Sequence, residues 1–270
     1  MSRGGRSVPI LAYHSISDAP PPIVRRLAVS PACFRRQLDA IVSSGACTLT
    51  VSDYVAATAQ GDRLPQDIVL ITFDDGFEDF VTTALPALEE RGLRSTLYVA
   101  TGLLRGKAGM RRTTCSDRML DWSQLAELAS RGVEIGGHSH THPQLDTLSR
   151  RRAVTEIDGS RRLLEDELQV RISSFAYPHG YFSPLVRSLV REAGYESACA
   201  VRNALSVVGE DRFALSRLTV RAETSPHEVS AWAAGIGPQA PTRERIRTRG
   251  WRAARRARAV AARRPVYEFR

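Results

Sequence analysis

The sequence predicts an α/β fold in which helices cover a parallel sheet, arranged either as a barrel or as a doubly wound sheet. Short apolar runs alternate with amphipathic segments along most of the chain. Several of these amphipathic segments begin at a Ser-Pro pair, which is typical of a helix N-terminus. With 270 residues, of which 43% are hydrophobic, the chain is long enough to bury one core of barrel size.

The elements of the first half follow from apolar runs and the residues that flank them. The run at 8–13 predicts the first strand, and Ser30 with Pro31 predicts the start of a helix that Gly45 ends. The other elements predicted before residue 133 are a helix capped by Ser52 and ending at Ala59, a strand at 68–73, a helix at 80–91, a strand at 95–100, and a helix that starts at Asp121 or Ser123 and ends at Gly132.

The second half continues the alternation. Ser149 is predicted to cap a long helix to about Gln169, whose inner face is formed by Val154, Ile157, Leu163, Leu164 and Leu168. The other predicted elements are strands at 133–135, 172–177, 196–201 and 213–220, a helix from Ser183-Pro184 to Gly194, and a helix that begins at Ser225-Pro226. In a barrel, polar residues that follow different strands are expected to meet at one rim.

The net charge of +9 is concentrated at the C-terminus. Residues 241–270 contain 11 Arg and 2 Glu and so carry +9 alone, whereas residues 1–240 contain 27 basic and 27 acidic side chains. We therefore predict a balanced functional domain at 1–240 and an Arg-rich basic tail at 241–270. The tail is either a solvated segment or a contact for an anionic membrane or an acidic polymer, and no specific nucleic-acid binding is expected.

Cysteine spacing and hydropathy indicate the expected compartment. The four cysteines form no C-x-x-C pair, which favours free thiols in a reducing compartment. No apolar run approaches the roughly 18–20 residues of a membrane span, and the run at 8–13 is too short for a signal peptide. The sequence thus predicts a cytoplasmic protein, with the tail as its candidate contact to a membrane surface.

Two adjacent carboxylates, Asp74 and Asp75, follow an apolar strand signal and precede Gly76. Buried carboxylates are costly to desolvate unless a cation or a proton engages them. Neighbouring side chains of an extended or turning backbone point in different directions, so one carboxylate could bind a metal while the other acts as a base. The alternative is an ordinary turn, because Asp-Asp-Gly is also favourable turn chemistry.

A histidine cluster follows the apolar signal at 133–135. His138, His140 and His142 are three of the six histidines of the chain and lie within five residues. They share one face if the segment is extended, whereas His138 and His142 align in a helical turn; a solvated polar loop is the alternative. One Asp with two His residues is a usual ligand set for a catalytic Zn²⁺-type ion with open positions. The sequence therefore predicts a metal-dependent hydrolase.

Three motifs resemble those of the NodB-type polysaccharide deacetylases. They are Thr-Phe-Asp-Asp-Gly at 72–76, His-Ser-x-Thr-His-Pro at 138–143 and Phe-Ala-Tyr-Pro-His-Gly at 175–180. Tyr13-His14-Ser15 and the helix containing Phe34, Gln37 and Leu38 are similar to the branch related to poly-N-acetylglucosamine deacetylases. The resemblance covers about residues 8–236 and implies a distorted (β/α)₇-type barrel.

The resemblance also implies roles for individual residues. Asp75, His138 and His142 would bind one divalent metal ion, with Zn²⁺ as the first expectation and Co²⁺, Ni²⁺ or Mn²⁺ as alternatives. Asp74 would be the general base. The residues implied to contact the substrate are Tyr177, Pro178, His179 and Gly180.

The chain departs from the family pattern in three places. Ala176 stands where the third motif often has an Arg that supports the base, and His179 stands where a Tyr usually precedes the last Gly. The Leu-x-His motif, the usual source of the catalytic acid, is Leu-Ser-Arg at 215–217. Arg217 is our candidate for the missing Arg. His14 and His179 are the candidates for the acid, and His14 is preferred because it follows a strand and imidazole titrates near neutrality.

The function implied by the resemblance is metal-dependent removal of N-acetyl groups from an amino sugar in a polysaccharide or its precursor. Hydrolysis of O-acetyl esters or small amides at the same metal centre is one alternative. A non-catalytic carbohydrate-binding relative is another; the complete carboxylate and histidine set argues against it, and the altered motifs argue for it.

Overall fold

Seven parallel strands form the wall of a distorted barrel in this computed structural model, which describes residues 6–106 and 118–239. The strands are β1 (Ser7–Val8), β2 (Ile10–Tyr13), β3 (Ser15–Ile16), β4 (Ala28–Val29), β5 (Cys47–Leu49), β6 (Ile68–Phe73), β7 (Thr96–Val99), β8 (Glu134–Gly137), β9 (Ser174–Ala176), β10 (Ser197–Cys199), β11 (Ser206–Val207) and β12 (Leu218–Thr219). The α-helices are α1 (Pro31–Ser43), α2 (Val51–Gln60), α3 (Leu85–Glu89), α4 (Trp122–Ser130), α5 (Arg150–Leu168), α6 (Pro184–Glu192) and α7 (Pro226–Ala233).

The strand order explains how the wall closes. The main sheet runs β10-β9-β8-β7-β6-β2-β12, and every pairing along it is parallel. A parallel bridge between Cys199 and Leu215 joins β10 to the segment that leads into β12, which brings the two ends of the sheet together. The predicted distorted (β/α)₇-type barrel is therefore confirmed.

The barrel is irregular at β6 and at its last strand. One edge of β6 is shared, because β5 pairs with residues 68–70 and β7 pairs with Thr72 and Phe73. The sequence analysis did not predict β5. The strand predicted at 213–220 is shortened to Leu218–Thr219, since the residues before it bridge to β10 before the chain turns to pair with β2.

The alternation of side chains along the strands directs several polar residues into the barrel. Along β6 and beyond it, Leu70 packs in the inner apolar cluster, whereas Val69 and Ile71 pack in the larger cluster that includes residues of the surrounding helices. The same alternation carries Thr72 and then Asp74 onto the inner face. Leu215 is also in the inner cluster, so Arg217, two residues on, follows it inward.

Helix starts agree with the capping signals in the sequence, with one correction. The side chains of five predicted caps accept the N–H three residues later: Ser30, Asp121, Ser149, Ser183 and Ser225. The predicted cap Ser52 is wrong, because Thr50 accepts the N–H of Asp53 and α2 begins at Val51.

Ser52 contributes instead to a polar cluster at the opposite end of the barrel from the site. Its hydroxyl donates to the carboxylate of Glu134 at 2.6 Å, and the hydroxyls of Ser174 and Thr96 donate to the same carboxylate at 2.6 and 2.8 Å. These hydrogen bonds satisfy a partly buried charge at the first residue of β8. The cluster joins β7, β8 and α2 at the floor of the barrel.

The inner face of α5 was predicted with a small error in phase. Ile157 and Leu164 are buried as expected, but Val154 is 38% exposed. The residues that lie three or four positions from Ile157 on its buried side are Ala153 and Ser160, and both are buried. Glu156, two residues after Val154, is half-buried and lies at the edge of the inner face.

The remaining sequence predictions concern the tail, the cysteines and membrane spans. The basic tail at 241–270 lies outside the described residues, as does Cys115. Cys33, Cys47 and Cys199 are free. Within 6–106 and 118–239, every helix is too short or too polar to cross a membrane.

Candidate metal centre

A cleft of about 400 Å³ opens at the C-terminal ends of the barrel strands. It brings together residues that follow four different strands, namely His14 after β2, Asp74 and Asp75 after β6, His138 and His142 after β8, and His179 and Gly180 after β9. These are the positions at which barrel enzymes assemble their active sites.

Asp75, His138 and His142 form a compact triangle of ligand atoms. The Nε2 atoms of the two histidines are 3.2 Å apart, and Oδ1 of Asp75 is 3.5 Å from Nε2 of His138 and 3.2 Å from Nε2 of His142. Tetrahedral bonds of about 2.0–2.1 Å separate two ligand atoms by roughly 3.3–3.4 Å. The three side chains, each at most 5% exposed, therefore fit a small divalent ion bound through three of its four positions.

Strained backbone conformations build the triangle. Asp75, Ser139 and His142 have φ angles of 75°, 64° and 57°, in the left-handed region that disfavours residues other than glycine. Each costs on the order of 1–3 kcal/mol unless its surroundings hold it. The histidine segment is consequently neither extended nor helical, because the two left-handed residues turn it back so that His142 meets His138.

Glu156 on α5 holds this turn. Its carboxylate accepts the N–H groups of His140 and Thr141 at 2.9 and 2.7 Å and the hydroxyl of Thr141 at 2.6 Å. Three donors on one carboxylate fix the part of the loop that lies between Ser139 and His142. The sequence analysis missed Glu156; its position at the edge of the inner face of α5 is the only local signal, and no spacing rule links it to the histidines.

Hydrogen bonding fixes which nitrogen of His138 faces the triangle. Nδ1 of His138 lies 2.8 Å from the carbonyl oxygen of Ala176, and a carbonyl can only accept, so Nδ1 carries the proton. Nε2 is thus left with its lone pair directed toward Asp75 and His142. Such an anchor on the second nitrogen is the usual support for a metal-ligating histidine.

The electrostatics of the triangle favour a cation. Burial alone would lower the pKa of His138, but the carboxylates of Asp74 and Asp75 outweigh it and raise that pKa. Burial lowers the pKa of His142 well below its usual range, and nearby His179 and His138 add to the effect. His142 is therefore neutral at pH 7, as a metal ligand must be.

Asp74 is paired with Arg217 by two parallel hydrogen bonds. Nη1 of Arg217 is 2.7 Å from Oδ1 of Asp74, Nη2 is 2.7 Å from Oδ2, and the arginine is fully buried. Although burial raises the pKa of the Asp74 carboxyl, Arg217 and the neighbouring histidines outweigh it and hold the pKa below its usual range. Arg217 also donates to Thr72 at 3.1 Å and to the carbonyl of Ala200 at 3.3 Å, which fixes its fork.

The structure separates the other predicted site residues into two groups. His14 and His179 line the cleft, and the ring centroids of His179 and His142 are 4.5 Å apart. Burial lowers the pKa of His14, with partial compensation from Asp75 and Asp74. Tyr177, in contrast, is buried in the core, where its hydroxyl donates to the carbonyl of Phe213 at 2.9 Å. Of the four residues assigned to substrate contact, His179 and Gly180 line the cleft, and Tyr177 and Pro178 do not.

A barrel rim that combines an Asp-His-His triangle with an arginine-paired carboxylate has the groups that a metal-dependent hydrolase uses. The comparison with known families agrees. Residues 61–198 match the family described as Polysaccharide deacetylase, which is half of the chain, and the protein belongs to this family. The resemblance given by the three motifs is thereby confirmed.

Individual relatives extend the match over most of the barrel. The chain is 25% identical over 213 residues to YxkH of Bacillus subtilis (strain 168), named as a polysaccharide deacetylase, covering 79% of this chain and 71% of YxkH. It is 20% identical over 230 residues to the poly-β-1,6-N-acetyl-D-glucosamine N-deacetylase of Escherichia coli (strain K12), covering 73% of this chain and 34% of that protein. The Streptococcus pyogenes deacetylase PplD, solved in complex with acetate, has the same fold, with a TM-score of 0.74, 24% identity, and coverage of 83% of this chain and 97% of PplD.

The triangle predicts which histidines retain metal. His138→Ala or His142→Ala is expected to lose most of the roughly one divalent ion per chain that a three-ligand site binds, because each variant removes one of three ligand atoms. His140→Ala is the matched control, since Nδ1 of His140 lies 2.8 Å from the hydroxyl of Thr101, outside the triangle. Elemental analysis after dialysis against Zn²⁺ measures the content; full retention in both ligand variants would contradict the assignment.

The hydrogen bonds between Glu156 and the histidine loop predict an effect on metal affinity without loss of a ligand. Glu156→Ala is expected to weaken Zn²⁺ binding by about 10–100-fold, the usual consequence of removing a group that orients the ligands. Asp166→Asn, an exposed carboxylate on the same helix, is the control for the lost charge. Competition with a chromogenic chelator gives the two affinities, and equal values would show that the turn is stable without Glu156.

Proposed function

We propose that this protein is a metal-dependent N-deacetylase that acts on N-acetylated amino sugars of a polysaccharide or of its precursor. The observation that carries the proposal is that the metal triangle and the Asp74 carboxylate face one cleft in a chain of the polysaccharide deacetylase family. The name of the Escherichia coli relative supports an N-acetylated polysaccharide as the substrate class. The presence of all four of Asp74, Asp75, His138 and His142 argues against a non-catalytic relative.

The chemistry divides between the two carboxylates. A divalent ion held by Asp75, His138 and His142 would polarise the acetamide carbonyl and acidify a water molecule. In this proposal Asp74 accepts the proton of that water. The 4.0 Å distance between Oδ2 of Asp74 and Nε2 of His138, at the edge of the triangle, supports this role. Arg217 keeps Asp74 ionised and correctly oriented. His14, at the same rim, remains our candidate for the proton donor to the leaving amine, with His179 as the rival.

The nitrogen and oxygen ligands and the spacing of the triangle favour Zn²⁺, and Co²⁺, Ni²⁺ and Mn²⁺ suit the same donor set. The cleft also offers an apolar surface to a sugar ring, formed by Ile23, Val24 and Leu27. Ile23 is 40% exposed although it is apolar, which suits a face that packs on carbohydrate C–H groups. We further propose that residues 1–240 form the deacetylase domain and that the 241–270 tail contacts an anionic surface.

Acetate release from β-linked N-acetylglucosamine tetrasaccharide by the Zn²⁺-loaded protein is the direct test. Asp74→Asn is expected to retain the metal but to lose about 10²–10⁴ in rate, the usual contribution of a general base. Asp75→Asn is expected to lose metal and activity together, because it removes a ligand. If the two variants behave alike in metal content and rate, the proposed division of roles is wrong.

The Asp74–Arg217 pair predicts the pH dependence of the reaction. Because Arg217 lowers the pKa of Asp74, Arg217→Lys is expected to raise it, so that the acidic limb of the rate profile moves to higher pH. The stability that this depressed pKa provides is present above the unfolded-state pKa and is lost as pH falls through the folded-state pKa. In Arg217→Lys the pKa is depressed less, so there is less stability to lose and its loss is complete at a higher pH. Arg187→Lys, in a surface pair with Asp211, is the control; an unshifted acidic limb in Arg217→Lys would contradict the role of Arg217.

A further inference from the structure

The cleft has two chemically different walls beyond the metal triangle. One wall is apolar and consists of Ile23, Val24 and Leu27. The other wall is mostly polar and consists of Val201, Asn203, Thr219 and Arg221, which come from the segments after β10 and around β12. The polar wall is not required by the deacetylation chemistry.

Arg221 differs in its charge balance from the other charged residues of the cleft. Asp74 is neutralised by Arg217, and Asp75 belongs to the metal triangle. The guanidinium of Arg221 is exposed and makes no ion pair or hydrogen bond with any residue in 6–106 or 118–239. It is thus a permanent positive charge at the mouth of the site whose partner is absent from the described chain.

The backbone that carries Arg221 is fixed on both sides. The N–H of Val220 donates to Ala12 at 2.9 Å, the N–H of Arg221 donates to the hydroxyl of Thr224 at 2.9 Å, and the N–H of Ala222 donates to Arg26 at 3.1 Å. A side chain that extends from such a fixed backbone loses less conformational entropy when it binds a ligand than one on a mobile loop.

Asn203 lines the same cleft as Arg221. Oδ1 of Asn203 accepts the N–H of Thr219 at 3.4 Å, so the side-chain NH₂ group is the end that remains for a ligand. Arg221 and the amide of Asn203 therefore offer donors from the same wall, and this combination suits an oxyanion.

We propose that Arg221, assisted by Asn203, forms an anion-recognition subsite that selects acetamido sugars bearing a carboxylate or phosphate group close to the acetamide that is hydrolysed. The subsite rests on the proposed deacetylase function, whose substrate class it narrows from N-acetylated carbohydrate in general to anionic glycans. The apolar wall would pack on the sugar ring while the polar wall binds its charged substituent.

The test compares neutral and anionic substrates in paired variants. Arg221→Gln removes the charge at the cleft, and Arg36→Gln removes an equal charge from an exposed position on α1 that does not line the cleft. The probes are a neutral N-acetylglucosamine tetrasaccharide, a tetrasaccharide of alternating N-acetylglucosamine and glucuronic acid, and N-acetylglucosamine 1-phosphate. The carboxylate and phosphate probes show which anion the subsite prefers.

Arg221→Gln is expected to raise KM for an anionic probe by about tenfold or more, which is the equivalent of one charged hydrogen bond. We expect little change in kcat for that probe or in KM for the neutral tetrasaccharide. The wild-type KM for the anionic probe should rise with salt, and the variant's should not. Arg36→Gln should match the wild type. The proposal would be overturned if Arg221→Gln changed KM equally for neutral and anionic probes, or if the two variants changed KM equally.

Binding by calorimetry separates this proposal from the proposed function. If the wild type releases no acetate from any probe, the deacetylase assignment fails, but the affinity of the Zn²⁺-loaded protein for the anionic probes still decides the subsite. Affinity that falls about tenfold in Arg221→Gln and not in Arg36→Gln supports it. Affinity that is unchanged in Arg221→Gln, or undetectable in the wild type, refutes it.

Discussion

The site depends on how two adjacent buried carboxylates are compensated. Asp74 and Asp75 are each 3% exposed, and neither could remain ionised there without an opposite charge. Asp74 obtains its compensation from Arg217, and Asp75 shares the triangle that fits a cation. This division requires that the two side chains diverge, which the left-handed backbone at Asp75 achieves immediately after the regular strand ends.

A second constraint is that the ligand loop is held by groups that do not touch the metal triangle. The turn from Ser139 to His142 is unfavourable in isolation, and the carboxylate of Glu156 satisfies the backbone at its centre. The carbonyl of Ala176 orients His138 from the neighbouring strand. Gly137, directly before His138, is closely packed, since a Cβ at this position would lie 2.1 Å from the hydroxyl oxygen of Tyr195. The geometry of the site therefore depends on contacts that lie outside the metal triangle.

Local patterns in the sequence predicted the alternation of strands and helices, most helix caps and the positions of the rim residues, because each of these depends on a few neighbouring side chains. The choice of a barrel over a doubly wound sheet came from the resemblance of the three motifs to a known family. The errors arise where tertiary contacts override local preference. Ser52 looked like a cap but donates to Glu134. Tyr177 packs in the core, and its assignment to substrate contact stays a prediction. The roles assigned to Asp74, Asp75, His138 and His142 stay predictions, although the structure brings these residues together. Glu156 could not be found from sequence, because its contact with the histidine loop joins a helix to a turn through packing alone.

Arg217, the partner of Asp74, lies in the segment that closes the barrel. Arg217 lies in the segment that joins β10 to β2 and so completes the wall, and it is 143 residues from Asp74 in the chain. During synthesis, Asp74 leaves the ribosome long before its counter-charge exists. A chain that lacks this segment has no Arg217 to compensate Asp74, and burying a carboxylate without an opposite charge is costly. Closure of the wall and neutralisation of Asp74 thus depend on the same segment, and a chain that ended before residue 215 would lack both.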